Sequence, residues 1–520
     1  MDDHALLMSK ADLCYLFNPR NVCIIGASDN RNKVGAQVLT NIISARFAGE
    51  IFPINPKAQN LFGLKVYKSI RELSNFDLDL AIITIPNIKV PAALEECIDQ
   101  NVKFAVLITA GFSEMKEYNS EGVKLTDEVA HLLKKGSIHI VGPNCMGIVS
   151  TECNLLGLMG PGIPPGRQKV NASIISQSGT WGVTCMRSGH SHALGFSKFV
   201  SSGNEMDLKF EDYLEYLGLY DSDTQIILGF IEGLREGRRF IQLAQEIDKP
   251  IVLIKGGKTE SGRKTASSHT GSLAGSQKIY EAIFNQCGII EANDLNELVD
   301  FGRAFQLYLS FQPPKLPKGN RVGIASGGGG FCVLMADQAE LEGLEVAQLD
   351  PATIEKMNEI LPPYWPHRNP VDLVATWDFG SYSKILKILL DDPNIDAVIA
   401  RPPLGFSLFY ESEEVQEFIR QNPVNTFNAP LDLIKGFDLS IVKEASRVAQ
   451  RSQKPVIVPL GFYSPENPIE YEMVRELYKR GIMVTPTSQM AARVLKKLSD
   501  YYQSRQKKNK NPKETIEAGG

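Results

Sequence analysis

ASIISQSGTWG (172–182) holds an apolar run, a Ser/Gly turn and the start of a helix in eleven residues. An apolar run that does not alternate with polar residues is the mark of a strand buried on both faces, as in a parallel sheet. A glycine turn leading directly into a helix marks the junction of a βα unit. The same order recurs at VCIIGAS (22–28) and at RVGIASGGGGF (321–331). Three such junctions predict an α/β chain of three parallel-sheet domains.

The remaining strands follow from each junction. IFPIN (51–55), LDLAIITIP (78–86), FAVLIT (104–109) and IHIVGPN (138–144) complete a first domain over 1–154. Leu155–Lys169, with PGIPPG inside it, reads as a linker. FSKFVSSGNEMDL (196–208), QIILGFIEG (225–233) and KPIVLIKGG (249–257) belong to a second domain, 170–310. After the proline-rich FQPPKLPKGN (311–320), IDAVIARPPLG (395–405) and KPVIVPLGF (454–462) belong to a third, 320–502. The polar stretch 503–520 reads as a disordered tail.

The second and third domains read as two copies of one unit. Lys249 precedes Gly288 by 39 positions, whereas Lys454 precedes Gly481 by 27. The excess matches the length of SGRKTASSHTGS (261–272), which therefore reads as a loop inserted into a fold complete without it. That loop carries His269 among Gly, Ser and Thr, with Lys258, Arg263 and Lys264 supplying positive charge. A mobile imidazole in a cationic field suits a nucleophile that carries phosphate. An idle surface loop is the other reading of the same residues.

Composition excludes several classes. Net charge is −5, with 43% hydrophobic residues, and no apolar run reaches the length of a membrane span. Neither nucleic acid nor a membrane is an expected partner. Eight cysteines without a CxxC or a Cys/His cluster indicate neither zinc nor disulfides. The N-terminus lacks a signal-peptide profile, so a reducing cytoplasm is the expected compartment.

Each glycine turn is a candidate anion site, because backbone N–H groups and a helix N-terminus converge there. At GASDNRNKVG (26–35) there is no GxGxxG, and Asn55 and Lys57 follow the second strand where a ribose-binding acid would stand for NAD. A lysine there suits a nucleotide with an extra phosphate, coenzyme A or NADP. SQSGTWG (176–182) and ASGGGGF (325–331) offer two further phosphate sites. Glu232, at the end of QIILGFIEG, falls on the same sheet edge, where a carboxylate can orient a histidine. An ordinary strand-end glutamate is the alternative.

Taken together, GAS (26–28) with Lys33, NPK (55–57), IPN (85–87), TAGFSE (109–114), GPNCMG (142–147), SQSGTWG, SSGNEMDL (201–208), FIEG (230–233), SSHTGSLAG (267–275) and NPVDL (369–373) resemble the NDP-forming acyl-CoA synthetase family, related to succinyl-CoA synthetase. The resemblance covers roughly residues 10–500. It implies a Rossmann-like CoA-binding domain followed by two flavodoxin-like succinyl-CoA-ligase domains, all on parallel sheets. It implies that His269 is phosphorylated and that Glu232 holds it. Ser178, Gly179, Thr180 and Gly327, Gly328, Gly329, Gly330 would cradle phosphate. Gly26, Ala27, Ser28, Lys33, Asn55, Lys57, Pro86 and Asn144 would bind coenzyme A, with Ser28 and Lys33 near its phosphates, Lys57 near its adenosine and Asn144 near its thiol. The ATP-grasp domain of the full family has no counterpart in this sequence. The resemblance thus implies an α subunit of an ADP-forming acid–CoA ligase. Its partner would be an ATP-grasp β subunit, in an α2β2 assembly, holding ADP or ATP with Mg²⁺. Its substrates would be CoA and a small carboxylic acid, and no metal would sit on this chain. The alternative is a non-catalytic CoA-binding regulatory module of the same fold.

Overall fold

The computed structural model describes residues 12–115, 120–162, 166–270, 276–374, 379–403, 407, 410, 412–422, 431–460 and 468–510; side chains at 266–270, 379, 431–432, 468–473 and 509–510 lie outside that description. The chain divides into two compact units, Met1–Gly302 and Arg303–Gly520.

Besides a two-stranded antiparallel hairpin, Asn60–Leu61 with Leu64–Lys65, the first unit contains two large sheets. In one, the strands run in the order Glu50–Ile54, Asn21–Ile25, Leu80–Ile83, Phe104–Leu107 and His139–Val141. All four pairings are parallel. In the other, the order is Ile290–Glu291, Ile251–Lys255, Ile226–Ile231, Ala172–Ser176, Phe196–Ser201, Gly147–Ser150 and Leu155–Leu158. The second unit repeats the arrangement with Glu345–Val346, Arg321–Ser326, Ala397–Arg401, Val456–Pro459 and Met483–Thr485, while Val371–Asp372 pairs with the end of Arg321–Ser326. Counted in chain order, with the hairpin Gly147–Ser150/Leu155–Leu158 and the short Val371–Asp372 left out, each of the three large sheets has the flavodoxin order 2-1-3-4-5. The direction in which strands are added reverses between its first and third strands, which opens a crevice at their carboxyl ends. All three glycine turns lie at such a crevice.

Within the large sheets, two strands depart from the all-parallel expectation. Gly147–Ser150 runs antiparallel both to Phe196–Ser201 and to Leu155–Leu158. Only four residues join the two short strands, too few for the crossover that parallel pairing needs, so they form a hairpin. Leu155–Leu158 is therefore a buried strand within the stretch read as a linker, and Gly147–Ser150 pairs into the second sheet. Asn41, from helix Val34–Ser44, covers this edge by donating its amide to the carbonyls of Leu158 (2.9 Å) and Gly160 (2.8 Å).

Two further segments are helical where the sequence predicts irregular chain. Residues Glu260–Thr270 form a helix. Thr259 caps it, its Oγ1 accepting the Gly262 N–H (3.1 Å), and Lys264 pairs with Glu260 one turn back (3.1 Å). At the far end, helix Ser488–Lys510 continues past the predicted start of the tail at 503. No described helix is long and apolar enough to cross a membrane.

Candidate active site

Three helices start at the three glycine turns: Val34–Ser44, Gly179–Ser191 and Gly329–Leu341. None has a side-chain cap at its N-terminus. Caps are used elsewhere, by Asp350 and Ser412 for example. The free N–H groups of these three first turns are thus left facing the crevices, which favours an anion there.

In the first unit two of the turns open into one cavity of about 1220 Å³. Its wall includes Gly26, Ala27, Ser28, Lys33, Asn55, Lys57, Pro86 and Asn144, the residues expected to bind a nucleotide, and also Ser178, Gly179, Thr180 and Glu232. Twelve positions chosen from sequence therefore converge on one space. Lys68 and Lys89 join Lys33 and Lys57 on the wall, and all four lysines are exposed. Sequence reasoning missed Lys68 and Lys89, exposed residues with no periodic or motif context.

Close packing shapes the first turn. Gly26 has φ +96°, and a Cβ on Gly35 would stand 2.0 Å from the Gly26 carbonyl oxygen. The helix can approach the turn that closely only because Gly35 lacks a side chain, while Gly26 supplies the positive φ of the turn. Asn55 donates to the Ala27 carbonyl (2.7 Å) and accepts the Lys57 N–H (2.8 Å), tying the second strand end to the turn. Asn55 is therefore a strut for the turn, a role its position alone did not reveal.

The second turn sets Glu232. In sheet register Ser176 lies opposite Phe230, which places the residues following each strand side by side. Gln177 Oε1 accepts the N–H groups of Glu232 (2.5 Å) and Gly233 (3.2 Å). From the other side, Lys255 Nζ donates to the Glu232 carbonyl (2.8 Å). Burial holds the Lys255 ammonium below the usual lysine pKa, and Nζ sits 4.7 Å from the centre of the Tyr280 ring. The peptide of Glu232 is thus gripped at both ends by side chains.

Loop 201–206 links the two sheets. Asn204 accepts from the Asn144 amide (3.2 Å) and donates to Glu114 (2.5 Å). The Glu114 carboxylate also takes the Gly111 N–H (2.5 Å). Glu205, next in the chain, is 6% exposed and has φ +53°. Burial pushes its carboxyl up to about 7 from an ordinary value near 4.5, against hydrogen bonds from Ser202 and Gln177 that favour the ionised form. The folded state then keeps a proton that the unfolded chain has already released between about pH 4.5 and 7. The contribution of this one group to stability is accordingly greatest below the ordinary carboxylate pKa and falls as pH rises to about 7, by on the order of 3 kcal/mol. The variant Glu205→Gln lacks this loss, so its melting temperature is expected to exceed that of the parent chain at pH 8 and to match it at pH 4.5. Melting curves at the two pH values check this.

His269 lies in the last turn of helix Glu260–Thr270, and its side chain is outside the described residues. The cationic field expected around it is reduced by pairing, since Lys258 meets Glu291 (2.6 Å) and Lys264 meets Glu260 (3.1 Å). Gly327, Gly328, Gly329 and Gly330 lie in the second unit, so the cavity does not include them. Gly327 and Gly330 have open space where a side chain would stand, while the Asp372 carboxylate comes within 2.8 Å of a Cβ built on Gly329. The strand-end Arg401 lies over the Phe331 ring at 3.7 Å. Among the described residues, no three His, Cys, Asp or Glu side chains gather as a metal site.

Comparison with known proteins agrees with this geometry. Residues 20–151 match a CoA binding domain, 169–305 a succinyl-CoA ligase like flavodoxin domain, and 322–412 a ligase-CoA domain. Over 468 residues the chain is 38% identical to the alpha subunit of acetate–CoA ligase (ADP-forming) II of Pyrococcus furiosus, covering 84% of this chain and 98% of that one. The chain belongs to the NDP-forming acyl-CoA synthetase family. Within this family it is also 43% identical, over 366 residues, to the acetate–CoA ligase (ADP-forming) of Methanocaldococcus jannaschii, of which it covers 49%. That match takes in 70% of this chain. Among solved family structures, a dinucleotide-forming acetyl-coenzyme A synthetase of Candidatus Korarchaeum cryptofilum, in complex with phosphate and ADP, superposes with a TM-score of 0.79. Identity is 30%, covering 96% of this chain and 98% of that one.

Proposed function

We propose that the chain is the α subunit of an ADP-forming acid–CoA ligase that interconverts acyl-CoA, phosphate and ADP with acid, CoA and ATP. The observation that carries this reading is the shared cavity. A turn suited to a nucleotide with an extra phosphate and a turn suited to free phosphate open into it, and Glu232 stands on its wall.

In the ATP-forming direction, a phosphate oxygen held at the Ser178–Thr180 helix start attacks the thioester carbonyl of bound acyl-CoA. The C–S bond breaks, CoA leaves as its thiolate, and an acyl phosphate remains. N–H groups of the uncapped helix are placed to stabilise the charge that develops. A ring nitrogen of His269 then attacks phosphorus, the P–O bond to the acyl group breaks, and the acid leaves as a carboxylate. Glu232 accepts a hydrogen bond from the second ring nitrogen and so stabilises the positive charge on the phosphorylated imidazole. Transfer from the imidazole to ADP completes the cycle, with the N–P bond breaking as ATP forms.

CoA lies along the first turn in this reading. The start of helix Val34–Ser44 and the four exposed lysines meet its phosphates, and Asn144 meets its thiol end. The nucleotide step, with Mg²⁺, belongs to an ATP-grasp partner. Two facts support such a partner: the chain parallels a protein named as an alpha subunit along nearly its full length, yet spans about half of the longer Methanocaldococcus relative. The chain is assayed with an ATP-grasp subunit, a panel of small carboxylic acids, CoA and ATP. CoA-dependent release of ADP is expected with at least one acid. Tight CoA binding without turnover of any acid would overturn the reading in favour of a regulatory module.

A further inference from the structure

We propose that Gln177 and Glu205 are positioning residues for Glu232, and that the Glu205 carboxylate helps to hold the Gln177 amide the one way round that serves Glu232. This rests on the reading that Glu232 holds a phosphorylated histidine.

Gln177 and Glu205 are 8% and 6% exposed. The Gln177 amide nitrogen donates to both Glu205 oxygens (3.0 Å each) and to the Gly233 carbonyl (2.7 Å). Its oxygen faces the N–H groups of Glu232 and Gly233. Rotating the amide by half a turn would set its oxygen against a carboxylate and a carbonyl, and its NH₂ group against two N–H donors. All five contacts would be lost together. The Gly233 carbonyl and the two N–H groups favour one orientation, and a carboxylate at position 205, which can only accept, reinforces it; that orientation presents an acceptor to the peptide of Glu232. A neutral amide at 205 lacks that selectivity, since it offers both a donor and an acceptor.

The backbone is arranged for this placement. Gly203 and Glu205 both have positive φ, and a Cβ at Gly203 would lie 2.4 Å from the Pro143 carbonyl oxygen. Asn204 N–H donates to that same carbonyl (3.0 Å), and Ser202 Oγ donates to Glu205 (2.8 Å). Strain of this kind persists where surrounding structure enforces it, and it concentrates at functional sites. An apolar side chain at 205 would avoid burying a carboxyl, so packing alone does not account for one there. The groups that act electrostatically on Glu205 are Glu211, Arg235 and Tyr213, with Glu232 beyond the Gln177 amide.

The test uses the full chain with its ATP-grasp partner and labelled ATP. It follows acid-labile phosphate on the chain from pH 6 to 8.5, and CoA affinity separately. The parent chain's rate is expected to fall below about pH 7; Glu205→Gln is expected to lose that fall, to phosphorylate about tenfold more slowly at pH 8, and to bind CoA as before. Gln177→Leu is expected to lose more, and Glu205→Gln, nearly equal in shape, stands as the test if Gln177→Leu does not fold. A Glu205→Gln chain with the parent's rate and pH profile overturns the inference, as does one whose rate falls only in step with CoA affinity. A parent chain that takes no label overturns the proposed function itself.

Discussion

Replacing His269 by asparagine is expected to remove about a thousandfold or more of ATP-forming turnover and to leave CoA affinity unchanged. An amide cannot form the N–P bond proposed for the imidazole, so the acyl phosphate would have no route to ADP. A covalent carrier is needed because CoA and ADP are read as bound on different subunits, too far apart for direct in-line transfer. CoA affinity is independent of this step, because the cavity wall is built by residues 25–232, none of them in helix Glu260–Thr270. ATP formation from acyl-CoA, phosphate and ADP, measured beside calorimetric CoA binding, separates the two properties. Parallel loss of both would mean that the substitution acts through folding.

The second large effect is expected from a single methyl group. Gly35→Ala would place a Cβ 2.0 Å from the Gly26 oxygen and 2.8 Å from Thr84 Oγ1. Backbone oxygen cannot rotate away as a flexible side chain can, so helix Val34–Ser44 must shift off the turn. Overpacking of this sort costs about 1–3 kcal/mol, and the shift would also move the helix N-terminus away from the phosphate proposed to bind there. CoA affinity is expected to fall about a hundredfold, equivalent to ~3 kcal/mol, and unit-one unfolding to move to lower temperature. Gly237→Ala is the control. Its Cβ meets nothing within 4 Å, so its CoA affinity and melting temperature are expected to stay close to those of the parent chain.

What could be read from sequence was whatever a local pattern enforces. Each strand–turn–helix junction has a short apolar run and a glycine, and each lies at the carboxyl end of a parallel strand. Since the crevice of a 2-1-3-4-5 sheet forms at that edge, predicting the turns amounted to predicting the cavity wall. Elements whose cause lies elsewhere in the chain were not legible. Leu155–Leu158 is four residues long with a central glycine, and it is a strand because Gly147–Ser150 pairs with it and Asn41 covers it. Glycine, serine and threonine around His269 suggested an open loop, but Thr259 as a cap and Lys264 with Glu260 favour a helix there. The positions of Gln177 and Glu205 were inside quoted motifs. Their connection was invisible, because 28 residues separate them and only the sheet brings them together.

The central claim is that this chain carries out the first half of the reaction by itself and stores the phosphoryl group on His269. The chain alone, without partner or nucleotide, is incubated with labelled phosphate and acyl-CoA, then digested and examined by mass spectrometry under alkaline conditions. Label is expected on the peptide containing His269, in an amount that requires acyl-CoA and that rises with free CoA release. Free CoA released without label on that peptide, or label on any other residue, would contradict the account.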